Sequence, residues 1–231
     1  MNFEEHAAKP LLRSHGIATP EGALATTADA AGAIAARLGP CGVKAQVPAG
    51  KRGKAGGIKL AATPEEARSH AQSILGMTIG GYPVERLLIE AQVPIAREMY
   101  AAVLNDPASK GPLLLFSAEG GMDIEELAAT RPEALLTLPV DIRNGVDAAA
   151  IASWLPQSLA VPRDALAACL AKLYAAYKAS DAELLEINPL VLTKDGQLLA
   201  LDCKLSLDDS AEPRQAELAA QATPERLNDL E

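Results

Sequence analysis

The chain has 231 residues, enough to bury a core as one large domain or two small lobes, and with 49% apolar but only 3% aromatic residues that core must be mostly Ala, Leu, Val and Ile. A formal net charge of -9 argues against general nucleic-acid binding, which needs a basic face. No apolar run approaches the roughly 18 residues that span a bilayer, the opening MNFEEHAAKP lacks the apolar stretch of a signal peptide, and Cys41, Cys169 and Cys203 match no ligand spacing; a reduced, cytoplasmic protein with no membrane contact is expected.

In chain order, Asn2 with Glu5 three residues on predicts a capping box for a first helix, which Pro10 should kink or split and Gly16 should stop. GIATPEGALA reads as a loop entering a strand. Thr27 caps a helix over ADAAGAIAARL that ends at Gly39, and CGVKAQV is a short strand. Thr63-Pro64-Glu65-Glu66 combines a cap, a first-position proline and a third-position glutamate, and starts a helix running to about Leu75. VERLLIEAQV and REMYAAVLND are strand-like, and GPLLLFSAEGG is a buried strand closing on a double glycine, after which Asp123 and Glu126 cap a helix. RDALAACLAKLYAAYKAS, following Pro162, has helical spacing, and AELLEINPLVLTKDGQLLALDCKLS predicts two strands around Lys194-Asp195-Gly196. From Asp208 the chain is polar, and a Thr223-Pro224 helix start stands so close to Glu231 that a further domain beyond it is expected. Helices and strands alternate without regular βαβ spacing, which favours mixed sheets over a doubly wound fold.

The segment KAQVPAGKRGKAGGIKL is a local basic exception in an acidic chain. It contains neither a P-loop nor a dinucleotide fingerprint. Gly50, Gly53, Gly56 and Gly57 alternate with Lys51, Arg52, Lys54 and Lys59, so either backbone amides and cations approach phosphate oxygens, or the loop is a solvated hairpin. Lys44 lies inside an apolar strand, where an ammonium needs an acidic partner or an anionic ligand. In the late hairpin, a three-residue loop with Gly196 left-handed pairs Thr193 with Gln197. Counting back sets Leu192 opposite Leu198, Leu190 opposite Ala200 and Asn188 opposite Asp202, with Glu186 on the same face. That all-oxygen group suits Mg²⁺, which takes one or two carboxylates plus phosphates and water; a merely polar outer face is the alternative. Glu90 ends a strand and Glu98 follows eight residues later; taken singly, each reads as a surface charge more readily than as a ligand. His6, His15 and His70 have no Asp or Ser partner in view and read as structural or surface residues, and no nucleophile–base pair is visible.

On these residues the chain resembles the β subunit of ADP-forming succinate–CoA ligase and its malate–CoA ligase relatives. The likeness runs from MNFEEHAAKPLLRSHGIATPEG through VKAQVPAGKRGKAGGIKL, LLIEAQVPIAREMY and SAEGGMDIEELA to LLEINPLVLTKDGQLLALDCKL. It implies an α+β ATP-grasp fold whose two lobes hold a nucleotide between them. The larger lobe would be residues 1–20 plus 104–207, the smaller residues 21–103, and residues 208–231 would lead toward a CoA-ligase domain. It assigns catalytic roles to Lys44, which would contact phosphate, and to Glu186, which would help position an incoming phosphorylated histidine. Residues 50–57 would be a lid over the phosphates, with Arg52, Gly53 and Lys54 at the nucleotide. Glu90 would sit by adenine, Glu98 by ribose, and Pro20 where the ATP-preferring type has it; Asn188 and Asp202 would hold Mg²⁺. ATP or ADP and Mg²⁺ are the implied cofactors. The implied partner is an α subunit carrying the phosphohistidine and CoA site, and the implied reaction forms succinyl-CoA or malyl-CoA. Pro48 and Lys51 depart from the family's usual histidine and small residue in the lid. Two other readings stay open: another ATP-grasp carboxylate–amine or carboxylate–thiol ligase, and a degenerate ATP-grasp module without enzymatic activity.

Overall fold

The computed structural model describes residues 1–224. In chain order it contains α1 (Glu5–Ser14), β1 (Gly22–Ala25), α2 (Ala28–Leu38), β2 (Cys41–Ala45), β3 (Ile58–Ala61), α3 (Pro64–Ile74), β4 (Thr78–Ile79), β5 (Tyr82–Pro83), β6 (Leu87–Ala91), β7 (Ile95–Asp106) and β8 (Gly111–Ser117). There follow α4 (Ile124–Thr130), β9 (Leu136–Pro139), α5 (Ala148–Trp154), α6 (Arg163–Ala179), β10 (Ala182–Thr193), β11 (Leu198–Ala200), β12 (Lys204–Leu207) and α7 (Ala216–Ala219). Two compact units emerge: a smaller one of Phe3–Ala7 and Pro20–Val93, and a larger one of Met1–Asn2, Ala8–Thr19 and the chain from Pro94. The division falls at Val93/Pro94 rather than at 103/104, because β7 is one continuous strand paired with β10 and β8 along its length.

In the smaller unit, four antiparallel strands run in the order β1-β6-β2-β3, with α2 and α3 packed on one face. Alternation along β2 sends Cys41, Val43 and Ala45 into that core with Leu87 and Ile89 of β6. Alanines 31, 35, 67 and 71 complete it, which is how a chain poor in aromatics fills space: small side chains let the helices approach closely. At Gly32 a Cβ would already lie 3.2 Å from the Arg68 guanidinium. Both helix starts are as expected: Thr27 Oγ1 accepts from Ala30 N–H and Thr63 Oγ1 from Glu66 N–H. The Glu66 carboxylate reaches back to Ala62 N–H at 2.7 Å, and Gly39 and Gly76 follow the helices with positive φ.

The larger unit is built on six antiparallel strands, β11-β10-β7-β8-β9 with β12 also on β10, and α6 packs against β10 and β7. The expected hairpin register is present: Leu192 pairs with Leu198, Leu190 with Ala200, and Thr193 N–H donates to Gln197 O beside Gly196 at φ 87.

Four local expectations are corrected. Asn2 does not cap α1; it bridges Ser206, and the helix opens at Glu5. Pro10 lies inside α1 without ending it. Proline forfeits one backbone donor there, while buried Ala8 and Leu12 hold the helix on its core. The second strand of the late hairpin is two strands, because Leu201–Cys203 leaves the ladder between β11 and β12. The Asp123 side chain makes no capping bond to α4. The helix expected from Thr223 would fall on residues 225–231, which lie outside the described residues; Thr223 itself bridges Asn2.

Candidate functional site

In the smaller unit, the register of β2 and β6 builds the first group of residues. Val43 faces the helices, so Lys44 projects from the opposite face of the sheet. Its cross-strand neighbour is Leu88, and Glu90, two positions on, lies diagonally on that same face. Gly22 and Gly42 both stand opposite Glu90, one on each flank, leaving its side chain room. A Cβ at Gly22 would come within 2.9 Å of Ile89 O. Lys44 Nζ donates to Glu90 Oε2 at 2.6 Å and to Glu5 Oε1 at 3.0 Å. Glu5 Oε2 in turn accepts from Arg52 Nη2 at 2.7 Å, while Arg52 Nη1 donates to Ala45 O at 2.7 Å. Two carboxylates thus face two cations in a group where Glu5, Arg52 and Glu90 are all buried. The strand lysine has acidic partners, one of which, Glu5, carries no sign in the sequence of its role.

The glycine-rich segment is the connection between β2 and β3. It is a run of turns: Lys51 O accepts from Ala55 N–H, Gly53 O from Gly56 N–H and Arg52 O from Gly57 N–H. The glycines have separate reasons. At Gly57 a Cβ would meet Ile79 Cδ1 at 2.5 Å, and Gly56 has φ +79. At Gly50 and Gly53 a Cβ would meet nothing within 4 Å, and φ lies outside the left-handed region, so the protein's own packing does not require glycine there. Lys51, with φ 62, Gly53 and Lys54 are exposed, whereas Arg52 turns inward. Pro20 is buried ahead of β1.

The larger unit carries the second group. Between Ile187 and Leu190 the pairing of β10 with β7 shifts register, around a cis Asn188–Pro189 peptide. Leu201 N–H donates to Pro189 O at 3.1 Å, so the hairpin contact extends to the residues flanking Asn188 and Asp202. The Asn188 amide is oriented by the double-glycine loop: Nδ2 donates to Met122 O at 3.0 Å and Oδ1 accepts from Gly121 N–H at 2.9 Å. An amide oxygen has a second lone pair to offer. Asp202 Oδ1 accepts from Cys203 N–H at 2.8 Å. Gly120 and Gly121 lie directly on β7: a Cβ at Gly120 would sit 2.2 Å from Met99 O, and one at Gly121 would sit 2.1 Å from Glu98 Oε2. Glu186 accepts from Tyr100 O–H at 3.2 Å and stands opposite Lys204. Burial pushes the Glu186 carboxyl above its usual range, against the lowering influence of Lys204 and the Tyr100 hydroxyl; burial and that same carboxylate push Tyr100 up. Nearby, buried Lys9 of α1 donates to Leu201 O at 2.9 Å, a placement the sequence does not signal.

Among the described residues no group of three or more His, Cys, Asp or Glu side chains is arranged to hold a metal. Asn188 and Asp202 supply hard oxygen donors, two in number, which fits a cation that completes its shell from water and phosphate. No nucleophile–base pair joins either group. A groove of about 720 Å³ lies elsewhere, lined by Asn144, Val146, Ala150, Tyr174 and Lys178 among others, and contains none of the candidate residues.

The profile of the ATP-grasp domain matches residues 2–192. The chain belongs to the ATP-grasp domain family. It is 45% identical over 224 residues to the β subunit of succinate–CoA ligase [ADP-forming] from Gemmatimonas aurantiaca, covering 95% of this chain and 58% of that one. Among solved structures, ATP citrate lyase from Methanothrix soehngenii in complex with citrate and coenzyme A superposes with a TM-score of 0.74 at 27% identity, over 97% of this chain and 55% of that one. A dinucleotide-forming acetyl-coenzyme A synthetase from Ca. Korarchaeum cryptofilum shares the ATP-grasp fold, with a TM-score of 0.68 at 19% identity over 90% of this chain and 93% of that one. This ATP-grasp chain therefore spans little more than half the length of the first two of these relatives. No helix among its described residues is long and apolar enough to cross a membrane.

Proposed function

We propose that this chain is the nucleotide-binding part of the β subunit of an ADP-forming carboxylate–CoA ligase. It would bind Mg-ATP and pass phosphate to a histidine of an α partner. Phosphate then moves to a carboxylate, and CoA displaces it to give an acyl-CoA, succinyl-CoA or malyl-CoA. The observation that carries this reading is the position of Lys44. It shares a sheet face with Glu90 and is the next-to-last residue of a strand that leads into the glycine loop. Sequence identity of 45% to a succinate–CoA ligase β subunit supports the reaction class.

In this scheme Lys44, Lys54 and the amides around Gly53 neutralise and position phosphate oxygens, with Arg52 rooting the loop from within. Glycine at 53, which internal packing does not require, leaves room for a ligand to approach the backbone. Glu90 and Pro20 belong to the base side and Glu98 to the ribose. Asn188 and Asp202 would hold Mg²⁺, which when bound neutralises charge on the phosphates. Glu186 would guide the incoming phosphohistidine. In-line phosphoryl transfer asks for positioning and charge neutralisation rather than covalent chemistry from this chain, in keeping with the lack of a nucleophile–base pair in either group. Buried thiols at Cys41, Cys169 and Cys203 support a reducing, cytoplasmic setting.

Calorimetry with Mg-ADP and Mg-ATP tests the core of this reading: binding should occur, and Lys44→Ala and Asp202→Ala should weaken it at least tenfold; no binding at millimolar nucleotide refutes it. The inward use of Arg52 favours one second reading, a nucleotide-binding module without turnover. Transfer of labelled phosphate from ATP to an added α subunit separates the two.

A further inference from the structure

We propose that Glu5 is a positioning residue for nucleotide binding, acting through Lys44 and Arg52 without touching the ligand. The proposal rests on the reading that this chain binds nucleotide phosphate with Lys44 and the glycine loop. Glu5 is 2% exposed and opens α1, and its two oxygens are divided between two cations: Oε1 takes the Lys44 ammonium at 3.0 Å and Oε2 the Arg52 guanidinium at 2.7 Å. A buried carboxylate is costly unless its charge is matched and its lone pairs are used, and this one meets both conditions through two groups of the candidate site.

Each cation has a further hold that restricts it along a different direction. Glu90 ties Lys44 to β6, and Ala45 O ties Arg52 to the end of β2. Without Glu5 the lysine keeps its strand partner but loses the carboxylate that it shares with Arg52. With Glu5, the Lys44 ammonium and the Arg52 side chain are fixed to one carboxylate. The Arg52 backbone then carries that order into the loop, because Arg52 O accepts from Gly57 N–H and Gly57 O accepts from Ala45 N–H. Glu5 therefore sets the distance between the lysine and the exposed turn at Gly53–Lys54. A phosphate that must touch both finds them already placed, which is where binding free energy is saved.

The test compares Mg-ADP affinity and backbone hydrogen exchange in wild type, Glu5→Gln, Glu5→Asp and the same changes on a Lys44→Ala background. Glu5→Gln keeps the shape but removes the charge, and should weaken Mg-ADP about tenfold, the usual scale for a hydrogen bond to a charged group. Glu5→Asp should recover part of that loss. On the Lys44→Ala background the Gln change should cost at most about twofold, since the group it positions is gone. Amides of Ala55 and Gly57 should exchange faster in Glu5→Gln, with those of α6 unchanged. Arg52→Met breaks the same bridge from its other end and should speed the same amides, which keeps the test intact if Glu5→Gln folds poorly. Equal affinity of wild type and Glu5→Gln, or an equal cost on both backgrounds, overturns the proposal. Should wild type bind no nucleotide, the functional reading fails separately, and unchanged loop exchange in Glu5→Gln then overturns the positioning role by itself.

Discussion

The two groups of candidate residues are assembled in opposite ways. In the larger unit, Asn188 and Asp202 stand just past the paired end of one hairpin, whose turn and register follow from a few neighbouring residues. In the smaller unit, Lys44 meets Glu5 and Glu90 across 39 and 46 positions, and Arg52 meets Glu5 across 47. The first arrangement is local. The second is a buried, charge-balanced group in which each member depends on the others.

That contrast orders the expected effects of mutation. Lys44→Ala leaves Glu5 and Glu90 facing each other in a buried site, and should destabilise the fold by about 3 kcal/mol in urea unfolding. Asp202→Ala, by comparison, should weaken Mg-nucleotide binding while moving stability by less than about 1 kcal/mol; equal losses in the two variants would erase the distinction. Gly120→Ala drives a methyl group into the Met99 backbone and should cost about 2 kcal/mol or more, whereas Gly53→Ala, with open space around it, should leave the unfolding midpoint nearly unchanged and lower only nucleotide affinity. Thr63→Ala removes the cap from α3 and should cost about 1 kcal/mol, a purely local loss with no effect on ligand binding.

The smallest effect concerns pH. Hydrogen bonds from Arg214 and Gln215 hold the Asp181 carboxyl below its usual range. Its contribution is therefore present above the ordinary aspartate pKa and is lost as pH falls through the lowered value in the folded protein. With Arg214 60% exposed, the pair is screened by solvent and its contribution is small. Asp181 has φ 53, a conformation asparagine tolerates, so Asp181→Asn should flatten acid unfolding slightly below about pH 4 without altering the fold. A large change there would show that the local region is more cooperative than the comparison holds.

Much of this was legible because its causes are close in sequence. Thr27, Gly39 and the Thr63-Pro64-Glu65-Glu66 run mark their helices through capping bonds within one turn, and Gly196 fixes a register that counts back reliably to Leu190 and Ala200. The count fails at its far end. There Asp202 accepts from the next backbone N–H, the ladder breaks, and β12 resumes on β10 opposite Glu186. Pro10 shows the converse error, a local penalty outweighed by buried neighbours.

By itself the sequence determined the helix caps at Thr27 and Thr63, the hairpin turn, the alternation that sends Val43 and Lys44 to opposite faces, and the presence of a basic glycine loop. Only tertiary structure decided that Arg52 turns inward while Lys54 stays exposed, that Glu5 binds both Lys44 and Arg52, and that Gly120 rests on β7. Caps and turns are set by bonds a few residues long. The pairing of a buried charge is settled by which distant group is near enough to meet its desolvation cost, and no nearby residue carries that information.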